Sequence, residues 1–160
     1  MVKYFMEEKM IPLLPSAQNQ LRFLKNLQQI LHSGSFTSTY KFALLMSLTR
    51  LAIEQGNDSS DLLRLDYQDI AEKFIYLYWK QSLPFHFNQH DAFILQQSTG
   101  QQASIINSIR EAQLTYKNLA SLRQDHVYWG KLKKKVASTV KQMPVVYLQN
   151  VNSQTNEFLY

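Results

Sequence analysis

The residues Ser38 to Gln55, STYKFALLMSLTRLAIEQ, decide the fold. Phe42, Ala43, Leu44, Leu45, Met46, Leu48, Leu51, Ala52 and Ile53 leave only a thin polar strip, and a helix apolar nearly all round belongs inside other elements. The stretch therefore predicts a central core helix. Thr37, Ser38 and Thr39 offer hydroxyls to its first-turn amides, and Gly56-Asn57-Asp58-Ser59-Ser60 supplies turn chemistry at its far end. Lys41 and Arg50 are charges on this helix; each is expected to form an ion pair or to reach out along the polar strip.

Before it, Met10-Ile11-Pro12-Leu13-Leu14-Pro15 reads as an extended apolar arm packing across the core, because two prolines and the residues preceding them disfavour helix. Ser16 caps a first helix from Ala17 to about His32, with Leu21, Leu24, Leu27 or Gln28, and Leu31 along one stripe, Phe23 and Ile30 beside it, and Gly34 as its stop. After the central helix, Asp66 and Asp69 form an acidic variant of the capping box for a third helix from Tyr67 to about Gln81, closed by Pro84. Its Ile70, Phe74, Leu77 and Tyr78 share a face. Phe85 to Ala92 reads as a loop and Phe93-Ile94-Leu95 as a short strand.

Two overlapping capping boxes, Ser98 with Gln101 and Thr99 with Gln102, predict the start of a fourth helix carrying Ile105, Ile106, Ile109 and Ala112 inward. Leu114 to Leu122 reads as a short helical piece. Asp125 then caps a fifth helix running to Gln142, with Leu132, Val136 and Val140 every fourth residue and Pro144 closing it. Val145-Val146-Tyr147-Leu148 and Phe158-Leu159-Tyr160 read as the two strands of a hairpin. The fold class expected is mainly α. A single domain over residues 1–160 comprises an arm (1–15), a helical core of about five helices (16–143) and a short C-terminal β-hairpin (144–160). An apolar strand that includes the last residue predicts continuation into a longer protein.

At 160 residues the chain can bury roughly two thirds of the surface its unfolded form exposes. No cysteine is present, which excludes disulfides and cysteine-ligated zinc. Lys41, Ser47, Thr49 and Arg50 break the longest apolar run well short of the roughly 20 residues of a membrane span. Glu7 and Glu8 occupy the place of a signal peptide's apolar region, so a cytoplasmic protein is expected. The formal charge of +5 is concentrated in the second half, where residues 81–160 hold eight Lys/Arg against four Asp/Glu. Such an excess suits a polyanion.

Lys131, Lys133, Lys134, Lys135 and Lys141 lie on the fifth helix, whose apolar row faces elsewhere, and form a candidate phosphate track. Tyr116, Tyr128 and Trp129 are aromatics near enough to stack on bases. The alternative is a solvated face with lysines favoured by the helix dipole. Gln101, Gln102 and Arg110 on the fourth helix are candidates for approach to bases. A helix-turn-helix made of Asp66–Phe74 and Gln101–Arg110 fails on spacing, since that motif needs a turn of three or four residues. His86 and His90, beside Asp91, are surface loop residues in preference to a metal pair. Glycine-rich phosphate loops, nucleophile elbows and Cys/His metal constellations are all missing from the sequence.

Thr39-Tyr40-Lys41-Phe42-Ala43-Leu44-Leu45, then Ile70-Ala71-Glu72-Lys73-Phe74-Ile75 and Leu77-Tyr78-Trp79, resemble the N-terminal region of a group of bacterial HNH-domain endonucleases. Ile11-Pro12, Leu95-Gln96-Gln97, Thr99-Gly100, Gln102, Met143-Pro144 and Phe158-Leu159-Tyr160 extend the likeness in order along nearly the whole chain. The resemblance implies a region that engages substrate or assembles a DNA-cutting protein of restriction or defence. In that family a ββα nuclease module with its divalent metal lies beyond this region, so no catalytic residue, metal ligand or cofactor is carried over to this chain. The expected partner is DNA. The second expectation is an interaction module that docks the nuclease domain or another subunit; no membrane partner is expected.

Overall fold

The computed structural model describes residues 16–33, 39–56, 63–86, 92–93, 104–148, 150–151 and 154–155, and these are mainly helical. In chain order they form α1 (Ala17–Ser33), α2 (Tyr40–Gln55), α3 (Tyr67–Trp79), α4 (Ser104–Thr115), α5 (Leu119–Gln124), α6 (His126–Gln142) and a single turn, α7 (Pro144–Tyr147). Two antiparallel pairs of two residues each complete the described elements: β1 (Phe85–His86) with β2 (Ala92–Phe93), and β3 (Asn150–Val151) with β4 (Gln154–Thr155).

Helix starts follow side-chain chemistry. Ser16 Oγ accepts from the Asn19 amide at 3.2 Å, Asp66 from Gln68 at 2.7 Å, Asn118 from Ser121 at 2.8 Å and Asp125 from Tyr128 at 2.9 Å. Each satisfies an amide with no partner inside its helix. Asp69, expected to share the α3 capping box, instead accepts from Gln55 Nε2 and ties α3 to the end of α2.

The core is built on α3 and α6. Phe74, Ile75, Ile106, Ile109, Leu122 and Val140 are wholly buried between them and α2, α4 and α5. Each such side chain contributes on the order of 1.5–3 kcal/mol relative to exposure. Tyr40, Phe74 and Tyr78 meet edge-on or tilted at centroid separations of 5.6 to 6.0 Å. This trio joins α2 to α3, and the Ile105 amide donates to Tyr40 Oη at 3.1 Å, so α2 also caps the buried start of α4. Thr39 Oγ1 meets Tyr78 Oη at 2.7 Å instead of capping α2. Gln113 Nε2 donates to the Trp79 carbonyl at 2.6 Å and closes the end of α3. The buried hydroxyls of Ser47 and Ser82 donate to the carbonyls four residues earlier.

Three expectations need correction. The central helix α2 is not enclosed: Tyr40, Ala43, Leu44, Ser47 and Leu51 are buried, but Phe42, Met46 and Ile53 on its other side are 45%, 47% and 78% exposed. No described element covers that side. Val145-Val146-Tyr147-Leu148 is not a strand. Pro144 stands at the first position of the α7 turn, which packs on α2 and α6 and buries Leu148, so tertiary contact overrides the β preference of these residues. Pro144 thus opens a new turn, and α3 ends at Trp79 with Ser82 folded back on Tyr78, before Pro84 is reached. The arm at residues 1–15, the capping boxes at residues 98–102, Ile94 and Leu95, and Phe158 to Tyr160 lie outside the described residues. No helix among the described residues is long and apolar enough to cross a membrane.

Candidate nucleic-acid interface

Helix α6 presents two faces. At 100° per residue, Trp129, Leu132, Val136, Ala137 and Val140 occupy one side and are buried. Lys131, Lys134, Lys135 and Lys141 fall within an arc of about 120° centred opposite, and all four are exposed. Lys133 does not share that arc. It projects toward α3, where Nζ lies 3.5 Å from Glu72 Oε2 and 5.7 Å from the centroid of the Trp129 ring. The expected row of five lysines is a row of four.

Glu72 organises the inner side. Its Oε1 lies 3.4 Å from Arg123 Nη2 while its Oε2 faces Lys133, so one carboxylate holds cations from α5 and α6. Arg123 also donates to Tyr76 Oη and lies over the Tyr76 and Trp129 rings at 5.7 and 5.9 Å. Trp129 is only 7% exposed beneath these cations. It is therefore not available to stack on a base, contrary to the expectation from sequence. Tyr116 and Tyr128 pack on each other at 5.2 Å, and Tyr116 Oη donates to Asp125 Oδ2 at 2.6 Å. That hydrogen bond holds the Asp125 carboxyl below its ordinary value and pushes the Tyr116 phenol up to about 12. Burial raises Tyr128 as well. These aromatics serve the α6 N-terminus.

On the outer arc, Lys131 and Lys134 carry no described ion pair, and Lys131 adds to the field that favours ionised Asp125. Lys135 Nζ is 3.3 Å from Glu111 Oε2, with both side chains more than 60% exposed, so solvent screens the pair. Lys141 Nζ stands 5.8 Å from the Tyr67 ring centroid. Arg110 is exposed on α4, immediately before Glu111. Gln101 and Gln102 lie outside the described residues, as do His90 and Asp91 of the histidine loop. Among the described residues no three His, Asp or Glu side chains gather as a metal site. The arrangement carries the charge needed to attract and neutralise phosphates.

Sequence reasoning missed the role of Glu72, Arg123 and Tyr76. A signal was present in Lys133, which stands three residues before Val136 and four before Ala137 and so belongs to their face. The reasoning also missed a groove of about 1080 Å³ between α1 and α2, floored by Leu65, Ile70 and Val145. Its walls include Phe23 and Leu27 from α1 and Met46 and Ile53 from α2.

No curated protein and no solved structure matches this chain. Residues 20–160, which include every described lysine of α6 and both walls of the groove, match the family described as Domain of unknown function (DUF8808), and the protein belongs to that family.

Proposed function

We propose that this domain holds DNA by its phosphate backbone along the outer arc of α6, as the substrate-positioning N-terminal region of an HNH-type endonuclease. The observation that carries the reading is the division of labour on α6: Lys133 is bound to Glu72, whereas Lys131, Lys134, Lys135 and Lys141 face solvent together. Such a row displaces counterions from a duplex without needing base contacts. The net charge of +5 supports it, as does the ordered likeness to HNH endonucleases from Thr39 to Trp79. Arg110, Gln101 and Gln102 are the residues proposed to extend the contact from α4. Cleavage and its divalent ion are assigned to the nuclease module beyond this region, and no residue here is given a catalytic role. On this reading the protein works in the cytoplasm, where its DNA is. The test is fluorescence anisotropy with labelled duplex and single-stranded DNA: the protein should bind duplex at low salt, and a variant with the four outer lysines changed to glutamine should bind far more weakly.

The groove between α1 and α2 favours a second reading, an interaction module that docks the nuclease domain or a partner subunit. Exposed Phe23, Leu24, Phe42, Met46 and Ile53 lie on or beside it, and contiguous apolar surface of this kind marks association sites. A groove variant that loses a partner and keeps DNA would separate the two.

A further inference from the structure

Helices α4 and α6 run antiparallel and meet along one flank at successive points. Ser104 Oγ, at the start of α4, lies 3.3 Å from Thr139 Oγ1 near the end of α6. In the middle, Glu111 Oε2 lies 3.3 Å from Lys135 Nζ. Just past the end of α4, the Tyr116 ring packs on Tyr128 at 5.2 Å and its hydroxyl donates to Asp125 Oδ2. Contacts on either side of Glu111 therefore fix its place beside α6. Ile109 and Ala112, its neighbours on α4, are wholly buried and anchor the backbone that carries it.

The placement matters because Lys135 belongs to the outer lysine row. Lys131, Lys134 and Lys135 fall within about 6 Å of one another along the helix axis, so the carboxylate that holds Lys135 stands beside the stretch where phosphates would collect. Its field reaches along this flank to Tyr128, whose phenol is raised by burial first and by the Glu111 charge second. A carboxylate and a phosphate are both oxyanions for the same ammonium, and lysine is a compact charge on a flexible stem that can turn from one to the other. The pair is exposed and screened, hence weakly held and open to exchange. An incoming phosphate nonetheless has to take Lys135 from Glu111 and then bear a like charge next to it.

We infer that Glu111 is an intramolecular stand-in for a phosphate: it occupies Lys135 while DNA is absent, is displaced when DNA binds, and so lowers the affinity of the row for DNA. The inference rests on the DNA-binding reading and adds to it a residue that opposes binding. Its test compares duplex binding at low salt, by fluorescence anisotropy, for the intact protein, Glu111→Gln, Lys135→Gln and the double variant. Both residues are exposed, and circular dichroism verifies that each variant is folded. Glu111→Gln should bind at least about threefold tighter than the intact protein, with a gain that shrinks as salt is raised. More than half of that gain, in log affinity, should be lost when Lys135 is already glutamine. A gain of less than about threefold, or a loss, would overturn the inference and leave the DNA reading in place. A gain that keeps half or more of its size in the Lys135→Gln background would also overturn it, since Glu111 would then act as a general negative charge and not through Lys135. Absence of duplex binding in every one of these proteins would overturn the DNA reading and the inference with it.

Discussion

Lys133 Nζ lies 3.5 Å from Glu72 Oε2, in a pair whose side chains are 23% and 22% exposed, and this takes one lysine of α6 out of the solvent-facing row. The charge is used to bind α6 to α3. Glu72 also holds Arg123, so its removal leaves two cations facing each other across the interface.

Replacing Lys133 with glutamine should therefore lower stability by about 1 kcal/mol, and Glu72→Gln by about 1–2 kcal/mol, as expected for a partly buried pair. Neither should change DNA affinity by the amount that the outer lysines do. Urea denaturation of both variants beside an anisotropy titration checks this. A Lys133 variant that loses DNA and keeps its stability would contradict the assignment.

Tyr40→Phe should destabilise the fold by about 1–2 kcal/mol, because it leaves the buried Ile105 amide without its acceptor while keeping the ring against Phe74 and Tyr78. The change should show as a lower urea midpoint with an unaltered slope. Tyr40 and Tyr78 are both pushed above the ordinary phenol range, chiefly by burial, Tyr78 to about 12.

Those shifts predict a loss of stability on the alkaline side. A phenol whose folded value is raised above its unfolded 10.0 stabilises fully below pH 10 and loses that contribution as pH climbs toward about 12. Tyr116 belongs to the same window through its hydrogen bond to Asp125. Asp125 has the opposite sign: its folded value lies below the unfolded 3.8, so its contribution is complete above that pH and is lost as pH falls further. Denaturation midpoints across pH should fall at both ends, with the acid limb flattened in Asp125→Asn and the alkaline limb flattened in Tyr116→Phe. Limbs unchanged in these variants would contradict the cap geometry.

Much of this was written in the chain. Asp66 and Asp125 mark the starts of α3 and α6 because a carboxylate before an apolar row has a local task that tertiary contact does not alter. The rows Ile70, Phe74, Tyr78 and Leu132, Val136, Val140 are buried as their spacing requires. The half-open state of α2 was not legible, since periodicity reports which faces are apolar and not whether another element reaches them. Val145 to Leu148 misled for a different reason: four residues of high β preference are too few to outweigh packing against α2 and α6. On α6, Lys131, Lys134, Lys135 and Lys141 are exposed together, as the helical spacing alone requires. Lys133 shares the face of Val136 and Ala137 by its spacing; what spacing does not show is its partner, Glu72, which is distant in sequence.

The most direct test of the DNA assignment is the salt dependence of duplex binding, measured for the intact protein, for Lys133→Gln and for the variant with Lys131, Lys134, Lys135 and Lys141 all changed to glutamine. Each phosphate neutralised contributes a slope of about −0.9 in log affinity against log salt. The account predicts a steep slope for the intact protein, the same slope for Lys133→Gln, and one shallower by about 3–4 in the fourfold variant. Equal slopes in all three proteins, or no duplex binding at low salt, would contradict it.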